Sequence, residues 1–286
     1  MCVDGTPVED HRAEWGLWVK REDTCCPDGP NFSKTRGVWA HVRGRPERVI
    51  GVLDTAHSQG GWAVARACAL QGKACVEFYP EFKSPGKTPN EVQRECMVLG
   101  ASTLPIPAGR SAVLYHRARG HMIRHYGADG YMMPNALKLP EMVTETAAEV
   151  RRTHEGLLLD RRLCNGLRTA RTILISMSSG TIAAGVCRGL MDIGWGGTVV
   201  AHQGYSRPQG AVREYMCRMA VGLATCADIR LDLVDEGYSY ADAARPGPTP
   251  PWPCNVYYDL KAARWWAALG RAQYGDSGPV LFWNVG

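Results

Sequence analysis

Residues 172–193 read TILISMSSGTIAAGVCRGLMDI. Thr172 to Met177 is a six-residue run dominated by apolar, β-branched residues, the pattern of a strand buried on both faces. From Ile182 to about Ile193, apolar and small residues recur at helical spacing. Between strand and helix stand Ser178, Ser179, Gly180 and Thr181. A strand, a small polar turn and a helix in that order leave backbone amides at the helix start, which is a cradle for a phosphate or another anion. The same four residues also read as an ordinary helix cap. The turn lacks the Gly-Lys-Ser/Thr ending of a P-loop and the Gly-x-Gly-x-x-Gly spacing of a dinucleotide fold.

The alternation continues outward in both directions. Toward the N-terminus, Arg48 to Leu53 reads as a buried strand and Gly60 to Gln71 as a helix stopped by Gly72. Lys73 to Tyr79 is a second strand. Thr88 to Leu99 predicts a helix, with Thr88 and Pro89 at its cap and first turn and Gly100 as its stop. Ser102 to Ile106 is a third strand, Ser111 to Tyr126 a basic helix, and Tyr131 to Met133 a fourth strand. A helix from Pro140 to Leu158 then leads to the strand at 172. Beyond it follow a strand at Gly197 to His202, a helix at Val212 to Leu223 and a strand at Ile229 to Val234. A Pro-rich loop at Pro246 to Pro253, a helix at Leu260 to Ala268 and a strand at Gly278 to Trp283 close the chain.

This order predicts an α/β protein with two open, twisted parallel sheets, each layered by helices on both faces. We place a smaller αβ domain at residues 45–138, inserted in a larger one made of 1–44 and 139–286. A small-molecule site is expected in the cleft between them, where strand ends and helix starts converge.

Composition sets outer bounds. Of 286 residues, 45% are hydrophobic and 21% charged, which excludes a disordered or fibrous chain. Lys plus Arg total 33 against 28 Asp plus Glu, a net charge of +5 that suits an anionic substrate or nucleic acid without requiring one. No apolar run approaches the ~20 residues that span a bilayer. Met1 to Glu14 is acidic and polar, so no signal peptide is expected and the chain is placed in the cytoplasm. The 11 cysteines are scattered, with one vicinal pair, Cys25–Cys26, and no Cys-x-x-Cys. They predict small buried residues, not a disulfide framework or a metal site.

Three further stretches sit at element junctions. Asn31 to Gly37 (NFSKTRG) holds Lys34 at a potential helix start, where nearby amides favour the neutral amine needed for a Schiff base. As a lone residue, Lys34 reads first as a solvated surface lysine. His57 to Gly61 (HSQGG) joins a strand to a helix and offers a hydroxyl, an amide and bare backbone to a carboxylate, or serves as a cap. Tyr257 to Lys261 (YYDLK) places Asp259 at a helix start, ordinarily a capping position.

Taken in order, Lys-Arg-Glu-Asp (20–23), Ser-Lys-Thr-Arg-Gly (33–37), Ser-Gln-Gly-Gly (58–61), Ser-Ser-Gly-Thr (178–181), Gly-Tyr (237–238), Tyr-Asp-x-Lys (258–261) and the final strand around 280–282 resemble one family over nearly the whole chain. These are the fold type II pyridoxal-phosphate enzymes of the tryptophan synthase β superfamily. The nearest branch is that of aminocyclopropane-carboxylate deaminase and D-cysteine desulfhydrase. The resemblance implies that pyridoxal 5′-phosphate is the cofactor and that Lys34 forms its Schiff base and shuttles a proton. It assigns Ser178, Ser179, Gly180 and Thr181 to the cofactor phosphate, and Ser58 to the substrate carboxylate or to acid–base work. Gln59 stands where the family usually has an asparagine bonding the cofactor 3′-oxygen. Tyr238 and Tyr258 match two active-site tyrosines, and Asp259 matches the acidic residue facing the pyridine nitrogen. A carboxylate there keeps the ring protonated and makes it a strong electron sink. Where many relatives end in His-Thr-Gly-Gly, this chain ends Trp283-Asn284-Val285-Gly286, and Val285 has no side chain to bond the ring nitrogen.

The insert at 25–30 (CCPDGP) and the short length look like pyridoxal-phosphate proteins of tailed bacteriophages that act in thymidine hypermodification. There an amino acid is attached to a thymine methyl in DNA and then decarboxylated. That resemblance implies decarboxylation of an amino-acid-modified thymidine, glycyl- or seryl-type. Duplex DNA contact is then expected through His41 to Arg48 and Arg117 to Arg124, stretches that otherwise read as solvated faces. A small-molecule lyase or deaminase, and a non-catalytic cofactor- or DNA-binding relative, are the alternatives. Dimers are usual in the family, so a homodimer is allowed.

Overall fold

Apolar runs bounded by glycine or short polar turns become strands, and helically spaced apolar segments become the helices packed on them. The computed structural model describes residues 2–55, 57–81, 89–107, 109–160 and 165–286. In chain order these form β1 (Val8–His11), α1 (Arg12–Trp15), β2 (Leu17–Arg21), α2 (Thr35–Arg43), β3 (Val49–Leu53), α3 (Gly60–Leu70) and β4 (Ala74–Pro80). Next come α4 (Glu91–Val98), β5 (Ser102–Ile106), α5 (Ser111–Tyr126), β6 (Gly130–Met132), α6 (Pro140–Leu159), β7 (Thr172–Met177) and α7 (Thr181–Asp192). The last are β8 (Gly197–Gln203), α8 (Gln209–Met219), β9 (Ile229–Val234), α9 (Asp259–Trp265), α10 (Arg271–Tyr274) and β10 (Val280–Asn284).

The chain divides into two compact units. One comprises Met1–Pro27, Asn31–Ser33 and Met142–Gly286; the other comprises Asp28–Pro30 and Lys34–Glu141. The first unit has a six-stranded sheet in the order β1-β2-β10-β7-β8-β9. Every neighbouring pair is parallel except β1 with β2. All six residues of β7 are buried, as expected of a central strand covered on both sides. Leu174, Val200 and Phe282 from the sheet pack with Ala262, Ala263 and Trp266 from the α9 side. A buried ion pair ties β2 to α6: Lys20 Nζ lies 2.7 Å from Glu149 Oε1, and neither side chain is exposed. Such a pair is costly to break from one side, because the partner keeps a buried, uncompensated charge.

The second unit has a four-stranded, fully parallel sheet in the order β5-β4-β3-β6. Val76, Phe78 and Met132 pack against Ala118 and Met122 of α5.

Several sequence expectations shift. The antiparallel hairpin β1–β2 was not foreseen. The helix expected from Thr88 begins at Glu91, because Asn90 caps it: Asn90 Oδ1 accepts the Gln93 N–H, and Gln93 Oε1 accepts the Asn90 N–H. Thr88 itself lies outside the described residues. The helix expected to run from Leu260 to Ala268 is α-helical to Trp265, and a π turn over Trp266–Gly270 then leads into α10. Among the described residues no helix is long and apolar enough to cross a membrane.

Candidate active site

In the first unit the chemistry-bearing residues gather where β7 ends. Ser176, still on the strand, turns its hydroxyl to Asp259 and donates to Oδ1 at 2.7 Å. Asp259 is the first residue of α9 and is fully buried. Its carboxylate also accepts the backbone N–H of Val285 at 3.0 Å and of Gly286 at 3.1 Å. Burial pushes its pKa up to about 6, and the charge of Asp23 adds to that. The Ser176 hydroxyl and the two amides hold it from rising further. All three hydrogen-bond donors are neutral. The residue is therefore an acceptor-rich, buried carboxylate that a cationic N–H would complement.

Three residues beyond Ser176 lies the polar turn. Ser179 and Thr181 exchange a hydroxyl hydrogen bond of 2.9 Å, and Thr181 Oγ1 also lies 2.8 Å from Tyr215 Oη. Gly180 is the N-cap of α7, with φ +90°. That left-handed conformation disfavours any side chain, and a Cβ there would also press to 3.2 Å from Met216. Because the cap is a glycine, it brings no side chain to the first amides of this twelve-residue helix, although Ser179 Oγ accepts the Thr181 N–H at 3.4 Å. Arg207 donates to the Ser178 carbonyl at 2.9 Å and brings a cation to the turn.

The two tyrosines join this cluster. Tyr258 is half-buried, with its phenol beside Tyr240 and Ser178, and burial drives its pKa up. Gly204, which follows β8, is pressed on its ring: a Cβ at Gly204 would sit 2.6 Å from Tyr258 Cδ1. Tyr238 is buried between two cations, with Lys261 Nζ 4.4 Å and Arg245 Cζ 4.5 Å from its ring centroid. Lys261 is fully buried and donates to the Gly204 carbonyl, so it ties both tyrosines to one loop. Thus Ser178, Ser179, Gly180, Thr181, Tyr238, Tyr258 and Asp259 all belong to this unit.

Lys34, Ser58 and Gln59 belong to the second unit. Lys34 is the N-cap of α2 and accepts the Val38 N–H at its carbonyl. Its side chain is half-buried. Desolvation, aided by the charge of Lys138, lowers its pKa to about 8, which leaves a sizeable neutral fraction near neutral pH. The preceding residue, Ser33, packs in the first unit and donates its N–H to the Val285 carbonyl at 2.9 Å.

Ser58 Oγ accepts the Gly60 N–H at 3.0 Å and fastens the start of α3. The Gln59 side-chain oxygen is buried without a hydrogen-bond partner.

Sequence reading missed two features here. Asp54 and Glu77 form a buried acid pair against the first turn of α3, and a Cβ on Gly61 would lie 2.9 Å from both carboxyl groups. Burial pushes both acids up, Glu77 further through the neighbouring Asp54, so the pair carries at most one charge at neutral pH. Nothing local marks them: each looks like a polar break in or after an apolar strand. Arg207 was missed for the same reason, since its partner is 29 residues away.

No family model matches the chain. Across 292 residues, covering all of both proteins, it is 48% identical to a protein of Pseudomonas phage M6 named glycyl-dTMP PLP-dependent decarboxylase. Among solved structures it is similar to an ACC deaminase homologue, with a TM-score of 0.71 and 15% identity over 100% of this chain and 91% of that one. It is also similar to a fungal L-serine ammonia-lyase from Rhizomucor miehei, with a TM-score of 0.65 and 14% identity over 98% of this chain and 92% of that one. An O-ureido-L-serine synthase gives a TM-score of 0.65 at 18% identity, over 98% of this chain and 88% of that one. Identities this low establish the fold alone, and it is the fold that the sequence resemblance implied.

Proposed function

The chain belongs to the family of the phage glycyl-dTMP PLP-dependent decarboxylase, and from that premise we propose that it removes, as carbon dioxide, the α-carboxylate of an amino acid carried on thymidine in phage DNA. It is a pyridoxal-phosphate-dependent lyase, and the bond we take it to break is carbon–carbon. Its place of work is then the cytoplasm of the phage's host.

The residues suit that cofactor. The turn 178–181 offers helix-start amides and the hydroxyls of Ser179 and Thr181 to a phosphate. Ser176, which holds Asp259, and Ser179 are three residues apart at a strand end. When bound, pyridoxal phosphate supplies an aldehyde for the amino group and a ring that accepts the electron pair left by departing carbon dioxide.

The observation that carries this reading is Asp259. A carboxylate buried among neutral donors, with a pKa of about 6, is largely ionised at neutral pH and holds a proton on a facing ring nitrogen. Lys34, with a pKa of about 8, takes up and returns a proton near neutral pH. We assign it the cofactor aldehyde and the proton that replaces the carboxylate at the substrate α-carbon. Gln59 offers its unpaired oxygen to the cofactor ring hydroxyl, and Ser58 orients the substrate end of the same loop. We assign Tyr258 and Tyr238 to the same chemistry; the raised pKa of Tyr258 keeps its proton on at neutral pH.

Incubation of the holoenzyme with DNA containing glycyl-modified thymidine is expected to release carbon dioxide in proportion to enzyme turnover. Nucleoside mass spectrometry should show loss of the carboxyl group with the amine retained. Release of ammonia with no carbon dioxide would instead support a deaminase.

A further inference from the structure

The second unit carries a row of cations that the reaction itself does not use. Helix α5 packs inward through Leu114, Ala118 and Met122. Its outer face exposes His116, Arg117, Arg119, Arg124 and His125. The chain has no Asp or Glu between Cys96 and Ala128. Arg110 at the N-cap, Arg117 and Arg124 are seven residues apart, so they fall near one line along the helix. At 1.5 Å rise per residue, the row spans about 21 Å in steps of about 10 Å.

Several other exposed arginines are paired with carboxylates. Arg12 pairs with Asp10, Arg151 and Arg188 share Asp192, Arg218 meets Glu214, and Arg230 pairs with Asp232. The other basic stretch singled out in the sequence is satisfied internally in part, since Arg45 pairs with Glu47 and His41 with Glu141. Among the described residues, Arg110, Arg117, Arg119 and Arg124 have no carboxylate partner. Arg117 donates only to the Pro107 carbonyl. The row also begins at the functional edge of the unit. Asn135 donates to Ser111 Oγ at 3.1 Å, and Asn135 opens the turn Asn135–Leu137. Leu137 in turn lies 3.1 Å from where a Cβ on Gly60 would be, beside Ser58.

We propose that the Arg110–Arg117–Arg124 face of α5 binds the phosphate backbone of duplex DNA and leads it toward the Ser58 loop. This rests on the reading that the substrate thymidine is part of DNA. Phosphates follow one another about every 3.4 Å of helix axis along a strand, so the row spans roughly six of them. Charge without an internal partner is the chemistry that a polyanion complements, and binding would release counterions from the duplex.

The test is the triple variant Arg110→Glu/Arg117→Glu/Arg124→Glu, compared with the corresponding triple lysine variant. The probe is a fluorescent unmodified duplex, titrated between 50 and 200 mM salt. Loss of about three phosphate contacts should reduce the slope of log K against log salt by roughly two to three. Affinity at low salt should fall at least tenfold, and the lysine variant should retain most of both. The charge-reversed holoenzyme should keep its cofactor absorbance and its turnover of the modified mononucleotide, while losing turnover on modified DNA. Unchanged duplex affinity and salt slope in the charge-reversed variant would overturn the proposal. Failure of the wild-type enzyme to release carbon dioxide from either substrate would overturn only the decarboxylase reading, because the binding measurement stands apart from it.

Discussion

Lys34→Ala is expected to lose the absorbance band of bound cofactor and to reduce carbon dioxide release by about 10⁴-fold or more, the scale seen when a covalent catalytic group is removed. The physical ground is the state of the amine. Lys34 opens α2 with its side chain half-buried beside Lys138, and the two effects together bring its pKa to about 8. A lysine in a structural ion pair would shift the other way. The sign also fixes what stability should do. For a base whose folded pKa lies below its unfolded value, protonation favours the unfolded chain, so the group costs apo stability below about pH 8 and the cost fades as pH rises toward the unfolded value. Removing it should leave the apoprotein at least as stable at pH 7, read by thermal unfolding. A marked loss of stability would identify Lys34 as a structural residue.

Asp259→Asn is expected to lower kcat by about 10²–10³-fold while the cofactor still binds, because one preorganised charge facing the ring is lost. Asparagine keeps one carbonyl oxygen for the donors around it. Its amide, however, faces a backbone N–H of Val285 or Gly286 as a second donor. In the wild type the rate should fall on acidification as the carboxylate takes up a proton, at about pH 6 or below, since a cationic partner lowers that value in the holoenzyme. The acid limb should be absent from the asparagine variant. The stability sign is opposite to that of a salt-bridged aspartate. With the folded pKa above the unfolded one, the apoprotein loses stability as pH rises through the interval from about 4 to about 6, and Asp259→Asn removes that dependence. Parallel pH–rate and pH–melting curves check both statements.

Much of this could be read from local pattern, and the exceptions share a cause. The strands at 172–177 and 229–234 were legible to the residue: burial on both faces leaves an apolar run at the first, and the second alternates apolar with charged residues as an edge strand does. Hairpin β1–β2 was not. Val8–His11 carries Glu9, Asp10 and His11, and β2 ends in Lys20 and Arg21, so neither resembles a buried strand. Lys20 is buried only because Glu149, 129 residues away, meets it. Similarly, Asp259 looks like a cap in sequence. Its burial depends on Ser176, Val285 and Gly286, which the fold alone brings together. The Asp54–Glu77 pair follows the same rule: two acids become a buried unit only where β3, β4 and the glycines of α3 meet. By contrast, the turn 178–181 was readable because strand, turn and helix are contiguous.

The central claim is that Lys34 is the lysine that carries the cofactor. Borohydride reduction of the holoenzyme, followed by peptide mass spectrometry, fixes a pyridoxyl group on whichever lysine holds it. The account predicts the label on the peptide containing Lys34 and none on Lys138 or Lys261. A label on either of those lysines, or none anywhere in a protein that binds the cofactor, would contradict it.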